Sequence, residues 1–242
     1  MVPSASSAKS AVNFQICVTV TCHTSQFPDE GSSMKIGILG AGHIGETLAR
    51  HFAKAGHQVG LSNSRGPASL AGLVKSIGPN SCAMTSEEAA RFGEAVLLAV
   101  PWRSREAWPA PDWVAGKIVI DAMNPYSADG EIINLGDRLS SDEVARRFPG
   151  AHVVKAFNTM YYHTLATEAR APGETRLALF VAGDDPAAKA MVSKLIEEIG
   201  FAPVDTGSLR EGGRMQRPGS PIYNRPMTAA QARAALADFA ER

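Results

Sequence analysis

The chain has 242 residues, 45% hydrophobic and 20% charged, and its 24 Lys plus Arg equal its 24 Asp plus Glu. That length buries a sizeable core in one large domain or two small ones, while the balanced charge points away from nucleic acid and from an anionic membrane. No apolar run approaches the roughly 20 residues that span a bilayer. Cys17, Cys22 and Cys82 form neither a C-x-x-C pair nor a disulfide framework, which fits a reducing, cytoplasmic setting.

Residues 1–33 are rich in Ser, Thr and Ala. Asn13, Gln15 and Thr21 interrupt their apolar run, so they read as an extension, tag or misplaced start outside the fold rather than an export signal. Val18 and Val20 suit at most a stray edge strand. From Met34 onward strand and helix patterns alternate, the signature of an α/β fold with a doubly wound, mostly parallel sheet.

The first strand carries Ile36, Ile38 and Leu39 and runs into Gly40-Ala41-Gly42-His43-Ile44-Gly45, a G-x-G-x-x-G that opens a helix with Leu48, Phe52 and Ala55 at helical spacing. Gly40 suits the tight turn, Gly42 a close backbone approach to a pyrophosphate, and Gly45 close packing of helix on strand. The free backbone N–H groups of that helix start, at the positive end of its dipole, suit phosphate. A second strand, 57–62, ends at Asn63-Ser64-Arg65, where an NAD-binding chain would place an Asp or Glu on the ribose 2′-hydroxyl. Hydroxyl and amide donors beside a guanidinium suit a 2′-phosphate instead, so NADP is expected over NAD.

A helix is expected over 68–77, a short strand near Cys82, and a helix opened by Ser86 as its cap. The apolar strand 94–100 ends in Val100-Pro101-Trp102 at the carboxyl end of the sheet, where Pro101 and Trp102 either wall a nicotinamide or serve as a strand stop and a core tryptophan. After strand 117–121, Asn124 either contacts the cofactor or shapes an Asn-Pro turn. A helix follows over 141–147 and a strand over 151–157, after which Asn158 and Thr159 either donate to a bound ring or cap a helix. Beyond strand 176–182, Asp185 and Pro186 read as a helix start rather than as catalytic carboxylates. A last strand, 201–205, precedes a Gly/Pro-rich stretch with Arg210, Arg214, Arg217, Arg225 and Tyr223, read either as a holder of an acidic acceptor or as an arm over a dimer partner. A short helix begins near Thr228. No histidine has metal-ligand spacing, and no hydrolase elbow or acid/base dyad is legible.

With these residues in hand, 34–209 resembles the NADPH-dependent reductases of coenzyme F-420, a deazaflavin, and the related oxidoreductase domain of the STEAP metalloreductases. The resemblance rests on Gly40 to Gly45, Ser64-Arg65, Val100-Pro101-Trp102, Gly183-Asp184-Asp185 and 203–209, with 121–125 and 155–158 nearer the metalloreductase form. It implies one Rossmann-type domain over 34–209, a homodimer, NADPH at the fingerprint with Ser64 and Arg65 on the 2′-phosphate, and hydride transfer to an F-420 or flavin-like ring. Asn158 departs from it, since the deazaflavin reductases carry a histidine there, and so does the arginine-rich 210–242. Alternatives are a flavin or ferric reductase, a non-catalytic NADP sensor, and an imine or carbonyl reductase, whose long helical second domain does not fit the short remainder of the chain.

Overall fold

Eight strands lie in one sheet in the order β3-β2-β1-β4-β5-β6-β7-β8 in a computed structural model that describes residues 33–240, with side chains through 238. The expectations placed on 1–32, the edge strand at Val18 and Val20 among them, lie outside the described residues. The strands are β1 (Lys35–Leu39), β2 (Gln58–Ser62), β3 (Ser81–Ala83), β4 (Ala95–Leu98), β5 (Ile118–Asp121), β6 (His152–Ala156), β7 (Ala178–Gly183) and β8 (Ala202–Asp205). All neighbours pair parallel except β6 and β7, which pair antiparallel. β4 is buried at all four residues, as a strand covered on both faces must be.

The helices are α1 (His43–Lys54), α2 (Ala71–Ile77), α3 (Ser86–Phe92), α4 (Pro111–Val114), α5 (Ser140–Arg147), α6 (Tyr162–Thr167), α7 (Pro186–Glu198), α8 (Leu209–Met215) and α9 (Ala229–Ala240). One core cluster joins Leu48 and Phe52 of α1 and Val192, Leu195 and Ile196 of α7 to one face of the sheet. A second joins Ala89, Val114, Val144 and the tryptophans Trp102 and Trp108 to the other. This is the three-layer arrangement that an alternating strand and helix pattern dictates.

Local chemistry sets the element ends, with small corrections to the sequence expectations. The helix expected over 68–77 is a 3-10 turn, Pro67–Leu70, followed by α2. The cap of α3 is Thr85, not Ser86: its Oγ1 accepts from Glu88 N at 3.2 Å while Glu88 Oε2 accepts from Thr85 N at 2.8 Å. Asp185 caps α7 by accepting from Ala188 N at 2.7 Å, and Asp184 accepts from Leu209 N at 2.9 Å, which anchors α8.

The Gly/Pro-rich stretch after β8 folds back on its own sheet. Gly212 of α8 lies so close to the sheet that a Cβ there would stand 2.3 Å from the Ala182 Cβ, and Ile222 and Ala232 pack with Phe180 and Val204 in a third cluster. Asn224 N donates to Thr159 O at 2.8 Å, which ties the stretch to the end of β6. Its Tyr223 reaches Asn124 and Tyr126, more than ninety positions earlier.

Candidate active site

The strand order reverses between β1 and β4, and in open α/β sheets that switch point leaves a crevice beyond the strand carboxyl ends. Here it is a cleft of about 1080 Å³ lined by Gly40 to Ile44, Asn63 to Arg65, Ala99 to Ser104, Met123, Asn124, Tyr126, Asn158, Tyr161, Tyr162 and Tyr223, among others. Most residues singled out in the sequence meet there; Gly45 and Thr159 do not.

The glycine-rich end is made of backbone. Gly40 has φ +106, and a Cβ there would stand 2.5 Å from Ala99 O, so the turn requires glycine. A Cβ on Gly45 would fall 1.8 Å from Gly40 O, so Gly45 sets how closely α1 packs on the turn rather than facing the cleft. Gly42 differs: a Cβ there meets nothing within 4 Å. The space over Gly42 is therefore a cradle that protein atoms leave open and a side chain would fill. No side chain caps α1 at Gly42, so its first-turn N–H groups remain to bind an anion.

At the end of β2, Asn63 is committed to the turn. Its Oδ1 accepts from Arg65 N at 3.0 Å and its amide bonds Ser69 Oγ at 2.9 Å. Ser64 and the Arg65 guanidinium line the cleft without a side-chain partner among the described residues. The residues present thus fit an NADP adenosine end, with Asn63 shaping the loop and Ser64 and Arg65 facing the ligand.

At the other end, Val100 and Pro101 line the wall, while Trp102 is 4% exposed and packs edge-on to Trp108 with Arg105 stacked 4.0 Å over its ring. Trp102 is thus a core side chain that also borders the cleft. His43 stacks on Tyr162 at 4.2 Å and 12°, closing one side of the cleft. Asn124 Nδ2 donates to Asn158 O at 2.8 Å and to Tyr223 Oη at 3.3 Å. Asn158 Nδ2 donates to Asn124 Oδ1 at 3.1 Å and to Gln216 O at 2.9 Å. The two asparagines therefore clamp the ends of β5 and β6 to the C-terminal stretch. Thr159 is buried and lines a separate cavity of about 290 Å³, so it stays out of the cleft.

Sequence reasoning missed two features of this end. Tyr126 Oη and Tyr223 Oη lie 2.9 Å apart at the cleft wall, and burial, with the Tyr126 hydrogen bond second, raises the Tyr223 pKa above the ordinary phenol value. Behind Met123, Lys155 Nζ lies 2.9 Å from Asp121 Oδ2 and donates to Met123 O at 2.6 Å, with both charged residues buried. Lys155 inside an apolar strand next to an acid-ended strand was the available signal. Nothing local marked the tyrosines. Among the described residues no group of three His, Cys, Asp or Glu is placed to hold a metal ion, and no helix is long and apolar enough to cross a membrane.

The geometry has close counterparts. A solved structure of a hypothetical protein from Sinorhizobium meliloti is 36% identical, with 81% of this chain and 96% of that chain covered and a TM-score of 0.72. Another, described as an F420-dependent NADP-reductase from an Arthrobacter species, is 29% identical, covering 81% of this chain and 99% of that chain with a TM-score of 0.67. Metalloreductase STEAP3 of Rattus norvegicus is 34% identical over 72% of this chain. The chain spans about a third of that relative's length, 34%. The family described as NADP oxidoreductase, coenzyme F420-dependent, matches residues 35–125. The chain belongs to that family and is an oxidoreductase of the NADP-dependent class.

Proposed function

We propose that the protein is an NADPH-dependent reductase that passes hydride to a deazaflavin such as F-420 or to a flavin-like ring. The observation that carries this is one cleft that holds an open phosphate cradle at Gly42, a guanidinium at Arg65 without a side-chain partner among the described residues, and a tyrosine- and asparagine-lined wall at its far end. Its volume lies at the top of the range of about 300–1,000 Å³ usual for ligand sites, which suits a ligand as large as a dinucleotide. NADPH, when bound, supplies the hydride. The chain's own work is placement. First-turn N–H groups of α1 take the pyrophosphate, Ser64 and Arg65 take the 2′-phosphate, and Val100, Pro101 and Met123 form the wall on which the rings lie. Direct transfer between stacked rings needs alignment at near-attack distance more than an acid or base, in keeping with a cleft whose side chains are mostly amide, phenol and apolar. A cytoplasmic homodimer belongs to the same reading, which rests there on the family resemblance.

The test is NADPH oxidation, followed by loss of the reduced nicotinamide absorbance, with F-420, FMN, FAD and ferric chelates supplied one at a time. Turnover with F-420 or a flavin supports the reading, and turnover with ferric chelates alone moves the protein to the metalloreductase side. NADPH that binds and is oxidised by none of them leaves the sensor alternative.

A further inference from the structure

We infer that Tyr126 and Tyr223 form a single hydrogen-bond donor to the acceptor ring, which selects acceptors with a ring carbonyl or aza atom conjugated to the atom that takes the hydride. The inference rests on the proposed reductase reading and names the acceptor class of its site.

Proton counting gives the first step. The two phenols hold two O–H protons between them, and the 2.9 Å bond that joins their oxygens uses one. Asn124 supplies its own amide hydrogen to Tyr223 Oη at 3.3 Å, so that contact consumes no phenolic proton. The amide's orientation is fixed by the other Asn124 bond, because Asn158 O can only accept. Neither phenolic oxygen has a further partner among the described residues. Whichever tyrosine donates within the pair, one O–H is left over, and both residues line the cleft.

The backbone around the pair is built to hold it. Among the described residues only two non-glycine positions have positive φ, Phe157 at 65° and Asn224 at 53°. Each adjoins one member of this network, Asn158 and Tyr223, and such strain persists only where the surroundings over-determine it. Asn224 N is held by Thr159 O at 2.8 Å, and Asn158 Nδ2 by Gln216 O at 2.9 Å. The dyad is therefore fixed from both sides. Burial raises the Tyr223 pKa, and its bond to Tyr126 raises it further, so Tyr223 keeps its proton and serves as a donor, not as a base.

A preorganised donor is useful where charge develops. In the transfer, the nicotinamide C4–H bond breaks and a C–H or N–H bond forms on the acceptor, which gains the two electrons. The displaced ring pair moves onto the conjugated carbonyl or aza atom, which the phenol O–H stabilises, while the phenolic proton stays on tyrosine. A ferric chelate has no such atom and gains nothing from the dyad.

The test titrates FMN and F-420 separately into the full chain saturated with NADP, followed by quenching of their fluorescence, for wild type, Tyr223→Phe, Tyr126→Phe and the double variant. The double variant is expected to weaken at least one of the two ligands by about tenfold, the scale of one well-made hydrogen bond, with NADPH affinity unchanged. Each single variant should lose less, because the remaining phenol keeps one O–H but no longer has its partner to hold it in place. Equal affinity in wild type and every folded variant overturns the inference, and so does a wild type that binds neither ring. If the double variant fails to fold, the smaller losses of the two single variants carry the comparison. Parallel NADPH oxidation separates the two ideas. Turnover with unchanged kcat and KM in the variants removes the dyad and leaves the reductase. Dyad-dependent ring binding without any turnover removes the reductase and leaves the dyad.

Discussion

The two ends of the cleft are made of different material. The phosphate end is backbone: a turn at Gly40, an open cradle at Gly42, a close contact at Gly45 and the unpaired first turn of α1, all inside eleven consecutive residues from Lys35 to Gly45. The acceptor end is side chain: Asn124, Tyr126, Asn158 and Tyr223 arrive from two strand ends and a C-terminal loop, over separations of 34 to 99 positions. A backbone site tolerates almost any sequence that keeps its glycines. A side-chain site depends on every element that brings its members together, so the two ends should fail in different ways.

The largest expected effect breaks the acceptor end from below. Lys155 and Asp121 are buried, and Lys155 Nζ also holds Met123 O, next to Asn124. Lys155→Met leaves an uncompensated carboxylate in the core and should cost about 3–5 kcal/mol of stability. Asp121→Leu with Lys155→Met should recover most of that, since an apolar pair of similar size carries no desolvation penalty. Urea unfolding of the three proteins is the check, and a single variant that loses under about 1 kcal/mol would remove the pair from the account of this end.

Arg65→Ala acts on the phosphate end at its charged side chain. It should weaken NADPH by roughly 1.5–3 kcal/mol, as loss of a charge-assisted bond does, and leave NADH nearly unchanged. Titration of each nucleotide decides it, and equal losses would withdraw the 2′-phosphate assignment.

The contrast is also the measure of what could be read in advance. The fold class and the packing roles of Gly40 and Gly45 were legible because each depends on residues within one turn of one another. Asn63, Ser64 and Arg65 were found for the same reason, although only the structure shows that Asn63 is taken up by Ser69 and the Arg65 backbone. Thr159 was misplaced because the side on which a residue faces just beyond a strand follows from backbone twist, here the positive φ of Phe157, and not from spacing. The arginine-rich stretch read as an arm because its short apolar contacts, Ile222 and Ala232 on Phe180 and Val204, show no period. Tyr223 owes its place to that folding back, which no local pattern announces.

Gly42→Ala sharpens the comparison at smaller amplitude. Its Cβ would meet no protein atom within 4 Å, so the melting temperature should not move, whereas a phosphate in the cradle would be pushed away. The expected loss in dinucleotide affinity is about 1–2 kcal/mol, the scale of a small overpacking. Gly45→Ala, 1.8 Å from Gly40 O, should do the reverse and lower stability first. If both variants lost stability alike, the idea that Gly42 is kept for a ligand and Gly45 for packing would fall.

The smallest expected effect sits where the two ends join. His51 of α1 bonds Leu165 O of α6 through Nε2 at 2.8 Å, one helix turn from the stack of His43 on Tyr162. Burial lowers the His51 pKa below its ordinary value, the Leu165 bond opposes that shift, and Lys54 adds to it. A histidine with a folded pKa below its unfolded one takes up protons more readily when the chain is unfolded. Its contribution to stability is therefore complete above the unfolded value near 6.5 and is lost as pH falls below it. Melting curves between pH 7.5 and pH 5 should show a decline that His51→Gln makes shallower, since the neutral amide still donates to Leu165 O and does not titrate (about one charge is at stake). An equal slope in His51→Gln would mean that acid enters this protein by another route.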